Sequence, residues 1–345
     1  MFRTLVTRQA QHALDLHATS FVKPGTARIR SLRPPNTDES EHSPPADSGP
    51  LRNESWYFDA VAPDGSLGMY ARIGRLPSQQ CCTFLAGIFR QGEPPLMVVD
   101  MHAPLPSSDL AQQRLETESF VAECECLEPL EAFAFRMKGK SSVLADPSAP
   151  LRGDNAGTGQ ENVELDLVWK TVGHPYKKRS QTRYEIPCAI TGTIKIGTQT
   201  HTLQAAPGER NHSWGVRDWW VHDWVWSSLH FENGTHIFTI ALGRGAESSG
   251  AADFMQRDCK LTEIESVVND FEWGDDGLPG SLRLSILPHK LIVFCEPIAA
   301  AGLRLLSPEG KEAHLPRIMC RARLMGPYTH LNGVGWLDFN RVIRS

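Results

Sequence analysis

The chain has 345 residues, 41% hydrophobic and 22% charged, with a formal net charge of -5. That is material for one large core or two medium ones, and two domains are expected. The mixed, slightly acidic charge excludes a nucleic-acid surface, which needs a basic stripe, and no apolar stretch approaches the roughly 20 residues of a membrane-spanning helix. A cytoplasmic protein without nucleic-acid partners is the expectation, with a homo-oligomer left open.

Residues 1–50 read as a disordered basic and Pro-rich tail. The first 36 residues carry six Lys or Arg and one acid, Asp15. Met1 to His17 is compatible with an amphipathic helix of the kind that opens a mitochondrial presequence. The tract from Pro34-Pro35 to Asp47-Ser48-Gly49 has nothing to bury.

From Glu54 onward, short alternating runs are broken by turn residues. Trp56 to Val61, a Pro63-Asp64-Gly65 turn and Leu67 to Ile73 predict a hairpin. Cys82 to Phe89 and Leu96 to Asp100 repeat the device, and Ser119 to Leu127, Ala132 to Lys138 and Val163 to Trp169 add strands. Residues 51–178 are assigned to an N-terminal β domain. Residues 179–345 are assigned to a second one, with strands at Tyr184 to Pro187, Ala189 to Ile196, Thr200 to Gln204 and Trp224 to Leu229. An Asn233-Gly234 hairpin turn leads into Thr235 to Leu242, and Lys260 to Val267, Ser281 to Ile286, Leu291 to Glu296, Ile318 to Leu324 and Val334 to Phe339 complete the series. Many short strands at this spacing mean sandwiches or barrels, and an eight-stranded barrel has room for one small ligand.

The eight cysteines include no C-x-x-C pair and no His partner at metal spacing, so no metal and no cofactor is expected. Nucleotide-binding, serine-hydrolase and zinc-protease motifs are absent. Chemistry concentrates instead in Gly208-Glu209-Arg210-Asn211-His212-Ser213-Trp214-Gly215-Val216-Arg217-Asp218-Trp219-Trp220, with Trp224 and Trp226 following at period two. Five of the nine tryptophans lie here. Indoles offer rigid apolar area, and the interleaved ionisable groups can orient or protonate what rests on them.

Taken together, Glu54-Ser55-Trp56-Tyr57-Phe58, Val98-Val99-Asp100 with His102-Ala103-Pro104-Leu105-Pro106, Tyr184-Glu185-Ile186-Pro187 with Thr191-Gly192-Thr193, and the His-Ser-Trp-Gly-Val-Arg-Asp-Trp run resemble a family of two-domain, lipocalin-like proteins. More distantly, the His-x-Trp-Gly core is similar to the carotenoid 1,2-hydratases (hydroxyneurosporene synthases) and the AttH-like proteins. The near resemblance implies an all-β fold of two lipocalin-like β-barrel or sandwich domains in tandem. The distant one implies acid chemistry on a polyene, with a histidine and a tryptophan of this motif and an aspartate on a following strand. His212 and Trp214 carry over, whereas the following strand, Phe238-Thr239-Ile240-Ala241-Leu242, has no carboxylate.

His212 reads either as a proton donor or acceptor or as a ring tying a loop to the barrel rim. Asp218 is the best-placed carboxylate for general acid work, or else an ion-pair partner of Arg210 or Arg217. The arginines anchor structure or substrate. Trp56, Trp214, Trp219, Trp220, Trp224 and Trp226 are candidate ligand walls or core, and Trp224 and Trp226 share a strand face. The leading expectation is a cofactor-independent hydratase, dehydratase or cyclase acting on a hydrophobic isoprenoid or polyene. A non-catalytic carrier of a hydrophobic small molecule is the alternative, and a purely structural interdomain seam is the third reading.

Overall fold

The structure, a computed structural model, describes residues 33–42, 49–106, 112–154, 157–179, 181–243, 249–258, 260–307, 309–326 and 329–344. The expected Met1–His17 helix lies outside the described residues. Among these residues every regular element longer than four residues is a β-strand, as the turn-punctuated alternation predicts.

The first sheet comprises β1 (Arg52–Val61), β2 (Leu67–Leu76), β3 (Cys81–Arg90), β4 (Leu96–Pro104), β5 (Gln112–Glu116), β6 (Phe120–Glu128), β7 (Ala132–Val143), β8 (Gln160–Thr171), β9 (Tyr176–Lys177), β10 (Arg183–Ile196) and β11 (Gln199–Val216). Its order is β4-β3-β2-β1-β11-β10-β8-β7-β6-β5, with β9 on β10. Pairing of Leu96 with Val143 and Met97 with Ser142 joins β4 to β7 and makes a nearly closed barrel. Closure removes the exposed edges an open sheet would leave.

The second sheet comprises β12 (Trp224–Phe231), β13 (His236–Leu242), β14 (Ser249–Arg257), β15 (Lys260–Ile264), β16 (Ser266–Asp270), β17 (Leu282–Leu287), β18 (Leu291–Ala301), β19 (Arg304–Leu306), β20 (Glu312–His314), β21 (Arg317–Gly326) and β22 (Thr329–Ile343). Its order is β15-β14-β13-β12-β22-β21-β18-β17-β16, with the β19–β20 ribbon on β22. The hairpin at Asn233-Gly234 forms as expected: Gly234 takes a left-handed φ of +76°, and the Asn233 side chain accepts the Thr235 N–H at 3.0 Å.

The two sheets divide the chain between Val216 and Trp224. Strands β10 and β11, which an interdomain boundary at 178/179 assigns to the second domain, are hydrogen-bonded into the first barrel, and the His-Ser-Trp motif goes with them. Residues 33–42, assigned to the tail by sequence, pack on that barrel, with Asp38 and Glu39 buried in a short 3-10 turn.

Three large cores result. One fills the first barrel (Trp56, Phe58, Phe84, Phe135, Trp169), one the second (Val225, Leu229, Leu284, Phe339), and a third lies between the sheets (Tyr57, Tyr70, Phe89, Trp226, Met319, Trp336). β1 contributes to two of them: Trp56, Phe58 and Ala60 point into the barrel, Tyr57 and Val61 toward the second sheet. This is why Trp-Tyr-Phe runs without polar alternation, as in any strand covered on both faces.

Candidate functional site

The motif that is contiguous in sequence is split by the pleat of β11. Alternate residues of a strand face opposite ways. Arg210, His212 and Trp214 therefore enter the first barrel, whereas Glu209, Asn211 and Ser213 face the second sheet. Arg217 to Asp223 form the connector to β12.

Inside the barrel, near the end where β1 starts and β11 stops, His212 is fully buried between aromatic rings. Trp56 stacks on it at 4.5 Å and Tyr184 meets it edge-on at 5.7 Å. Its Nε2 lies 2.8 Å from Glu54 Oε1, and its Nδ1 lies 2.7 Å from the Asp38 carbonyl oxygen. His42 arrives from the N-terminal segment. Its N–H donates to both Glu54 oxygens, its Nδ1 is 2.9 Å from Oε1, and its ring stacks on Trp214 at 3.9 Å. Burial works against a charge on Glu54, yet the hydrogen bonds from His212 and His42 prevail and hold its carboxyl down at about 2. Next to it, Arg210 makes a bidentate, fully buried pair with Glu39 at 2.9 and 3.0 Å. His212 thus sits in a core strand and not on a rim loop.

The opposite face of β11 meets a second constellation at the seam between the sheets. Asp59 has no exposed surface; it accepts the Glu209 N–H at 2.8 Å and the Tyr57 hydroxyl at 3.1 Å. Burial pushes its carboxyl up to about 7, against the hydrogen bonds from Glu209 and Tyr57 and the attraction of Arg317. Glu209, also without exposed surface, is raised by burial and by the charges of Glu185 and Asp59. Gly208 makes this approach possible, since a Cβ there would lie 2.2 Å from the Asp59 carbonyl.

From the second sheet, Arg317 pairs with Asp338 and lies 5.0 and 4.1 Å from the Tyr57 and Tyr70 ring centroids. Trp226, opposite Asp338 in register, meets Tyr57 edge-on at 5.4 Å. Among the described residues Glu209 Oε2, Trp226 Nε1, Arg317 Nη1 and Asp338 Oδ1 are buried without a hydrogen-bond partner. Four unsatisfied polar atoms drawn from both sheets thus gather at the seam, in a core that is otherwise aromatic, and each calls for an explanation.

The predicted residues therefore fall into separate groups. His212, Trp214, Trp56 and Arg210 come together in the barrel. Trp226, Trp224, Trp219 and Trp220 belong to the seam core, with Arg72 4.9 Å over Trp219. Asp218 caps the connector, accepting the Trp220 N–H at 3.0 Å, and lines a surface cleft of about 240 Å³ with Trp220, Leu51, Gln79 and Lys311. Its expected ion pair does not form with either arginine: Arg210 is taken by Glu39, and Arg217 donates to the carbonyls of Val216, Thr182 and Trp214. Burial and the neighbouring Arg183 and Arg52 pull Arg217 down to about 10.

Asp59, Glu209, Tyr57, Arg317 and Asp338 at the seam, and Glu54 and His42 in the barrel, were not singled out by sequence reasoning as site residues of this kind. Glu54 and Asp59 lie in the Trp-Tyr-Phe strand, and a charged residue at each end of so apolar a run was the available signal.

Several solved structures share this architecture. CghA, crystallised with Sch210972, is 13% identical, with 89% of this chain and 97% of that one covered at a TM-score of 0.56. An AttH-like protein of Nitrosomonas europaea is 11% identical over 88% and 98%, with a TM-score of 0.54. Kievitone hydratase of Nectria haematococca is 8% identical over 85% and 90%, with a TM-score of 0.52. At these identities the likeness is one of fold, and it meets the resemblance to AttH-like proteins and hydratases carried by the motifs. No curated protein matches the chain in sequence. A family model matches residues 35–343, and the chain belongs to that family, described as Domain of unknown function (DUF7064).

Proposed function

We propose that the protein is a hydratase, dehydratase or cyclase acting on a hydrophobic isoprenoid or polyene, with the chemistry at the seam and drawn from the chain's own acids. The observation that carries this reading is Asp59: a carboxyl raised to about 7 beside a second raised carboxyl and in reach of aromatic faces. An acid is most effective when its pKa lies near the working pH. Two adjacent buried carboxyls disfavour a second negative charge, so one holds a proton while the other is ready to receive one.

In this mechanism the Asp59 O–H protonates a substrate alkene, and the C=C electron pair forms the new C–H bond, leaving a carbocation. The faces of Tyr57 and Trp226 stabilise that cation; Arg317 over Tyr57 and Tyr70 is a resident example of the same interaction. Hydration ends with water adding to the cation and its proton returning to Asp59. Cyclisation or isomerisation ends with a C–H proton passing to the Glu209 carboxylate and from there to Asp59, which restores both groups. The cleft at Asp218 and Trp220 is the proposed way in, since the Trp220 ring also packs against the seam core.

The fold of CghA and kievitone hydratase supports a small-molecule site in this architecture. The test is to incubate the full chain with a panel of linear and cyclic polyenes and follow water incorporation from H₂¹⁸O by mass spectrometry. Turnover lost in Asp59→Asn, with binding retained, supports the reading. Tight binding without turnover in the parent protein points to a carrier, and neither binding nor turnover across the panel overturns it.

A further inference from the structure

We infer that His42, Glu54 and His212 form a binding site for a divalent transition-metal ion of the zinc class, and that the bound ion clips the N-terminal segment onto the first barrel. The three ligand atoms lie within 4.8 Å of one another, and both imidazoles address the same oxygen, Glu54 Oε1, at 2.9 and 2.8 Å. Two imidazoles and a carboxylate are a borderline donor set that suits zinc, cobalt or ferrous iron and not magnesium or calcium.

A second, independent observation is the hydrogen bonding behind the ligands. A carbonyl oxygen only accepts, so the His212 Nδ1 beside the Asp38 carbonyl carries the hydrogen. The Nε2 then lies 2.8 Å from a carboxylate oxygen, a spacing that places a cation between the two atoms, a proton or a metal ion. The Asp38 carboxylate lies 3.9 Å from His42 Nε2, the ring nitrogen not turned to Glu54. Outer-shell acceptors of this kind fix the tautomer of metal-binding histidines.

The charge balance agrees. Asp38 is matched by Lys177 at 2.7 Å and Glu39 by Arg210 at 2.9 Å. Glu54, almost fully buried, has the two imidazoles and the His42 backbone N–H as partners, and among the described residues no Lys or Arg pairs with it. A buried carboxylate needs a compensating charge. Stacking on Trp56 and Trp214 holds both rings in place, so the ligands are ordered before an ion arrives. At metal–ligand distances of about 2.0–2.1 Å a tetrahedral ion sets its ligands roughly 3.3 Å apart, which asks the two His–Glu54 pairs to open by about half an ångström. The half-buried His42 side chain has that freedom, and a water completes the coordination.

The experiment is metal analysis of the full-length protein, followed by chelation and readdition of Zn²⁺ or Co²⁺. We expect one zinc-class ion per chain, visible d–d absorption on cobalt substitution, and trypsin cleavage after Arg33 at least tenfold faster once the ion is removed. His42→Ala, which changes a residue of the N-terminal segment and none of the strands, is expected to weaken Zn²⁺ binding at least 100-fold in calorimetry while leaving the β-sheet circular dichroism intact. Glu54→Gln is expected to behave alike. Absence of stoichiometric binding by added Zn²⁺ and Co²⁺, or binding unaffected by His42→Ala, overturns the proposal and assigns the cation between His212 and Glu54 to a proton.

Discussion

The Glu209 backbone N–H donates to the Asp59 carboxylate at 2.8 Å where β1 and β11 run side by side, so two carboxyl groups without exposed surface meet at the seam between the sheets. Asp59→Asn keeps the shape and the capacity to accept the Glu209 N–H while removing the acidic proton. We expect turnover to fall by roughly 100-fold or more, the usual worth of a positioned acid, with little change in substrate affinity. Steady-state kinetics separating kcat from KM check this; an unchanged kcat rules Asp59 out as the proton donor.

The same residue sets a pH dependence. With a folded value near 7 against an ordinary 3.8, Asp59 holds a proton in the native state that it has lost in the unfolded one between about pH 4 and 7. Stability therefore declines as pH rises through that window and levels off above it, and turnover that needs the protonated acid falls on the same side. Urea midpoints measured from pH 5 to 8 are expected to drop less steeply in Asp59→Asn than in the parent protein.

His230 and His236 define the opposite slope. Their Nδ1 atoms are 2.7 Å apart, and burial pushes both rings down, His236 to about 4. One ring donates and the other accepts, and burial keeps both unprotonated near neutral pH. Acidification from about pH 6.5 to 4 protonates them in the unfolded chain first and costs stability, with the loss complete once the folded values are passed. His236→Gln is expected to flatten the acid limb of a thermal-denaturation profile; an unaltered limb assigns that limb to other groups.

Glu39 and Arg210 form a buried pair that joins the N-terminal segment to the barrel. Removing one partner leaves an uncompensated buried charge, so Glu39→Ala is expected to cost about 3–5 kcal/mol, whereas Glu39→Leu combined with Arg210→Met costs far less than the single change. Equilibrium denaturation of the single and double variants tests this. A loss below about 1 kcal/mol in Glu39→Ala means that the segment is not held as described.

Trp226 separates core from site. Its ring packs between Tyr57 and the second sheet, and truncation to Ala is expected to cost about 3–5 kcal/mol. Trp226→Phe retains most of the packing but loses the orphan indole N–H. Near-parental stability combined with weakened ligand binding supports a ligand wall; unchanged binding makes the ring core only.

Much of the strand pattern was legible because turn residues and alternation are local. The Asn233-Gly234 hairpin and the Trp56–Val61/Leu67–Ile73 pair both form where the residues predict them. β14 is not legible in the sequence, since Ser249-Gly250-Ala251-Ala252 shows neither alternation nor branched side chains and pairs only because β13 presents an edge. The span of β11 is not legible either: its polar centre reads as a loop, and becomes strand because the buried Glu39, Glu54 and Asn211 satisfy its charged and polar side chains.

The sequence by itself determined the all-β class, the turns and the concentration of indole and ionisable groups around residues 208–226, because periodicity and turn chemistry act over a few residues. Only the tertiary structure decided that His212 and Glu209 serve different places. Facing is settled by the pleat of β11, and partners come from residues as distant as Asp38, Asp59 and Arg317, which only barrel closure and sheet packing bring together. The ionisation of Asp59 belongs to the same level, because burial against a second sheet, and no neighbour in the sequence, raises it.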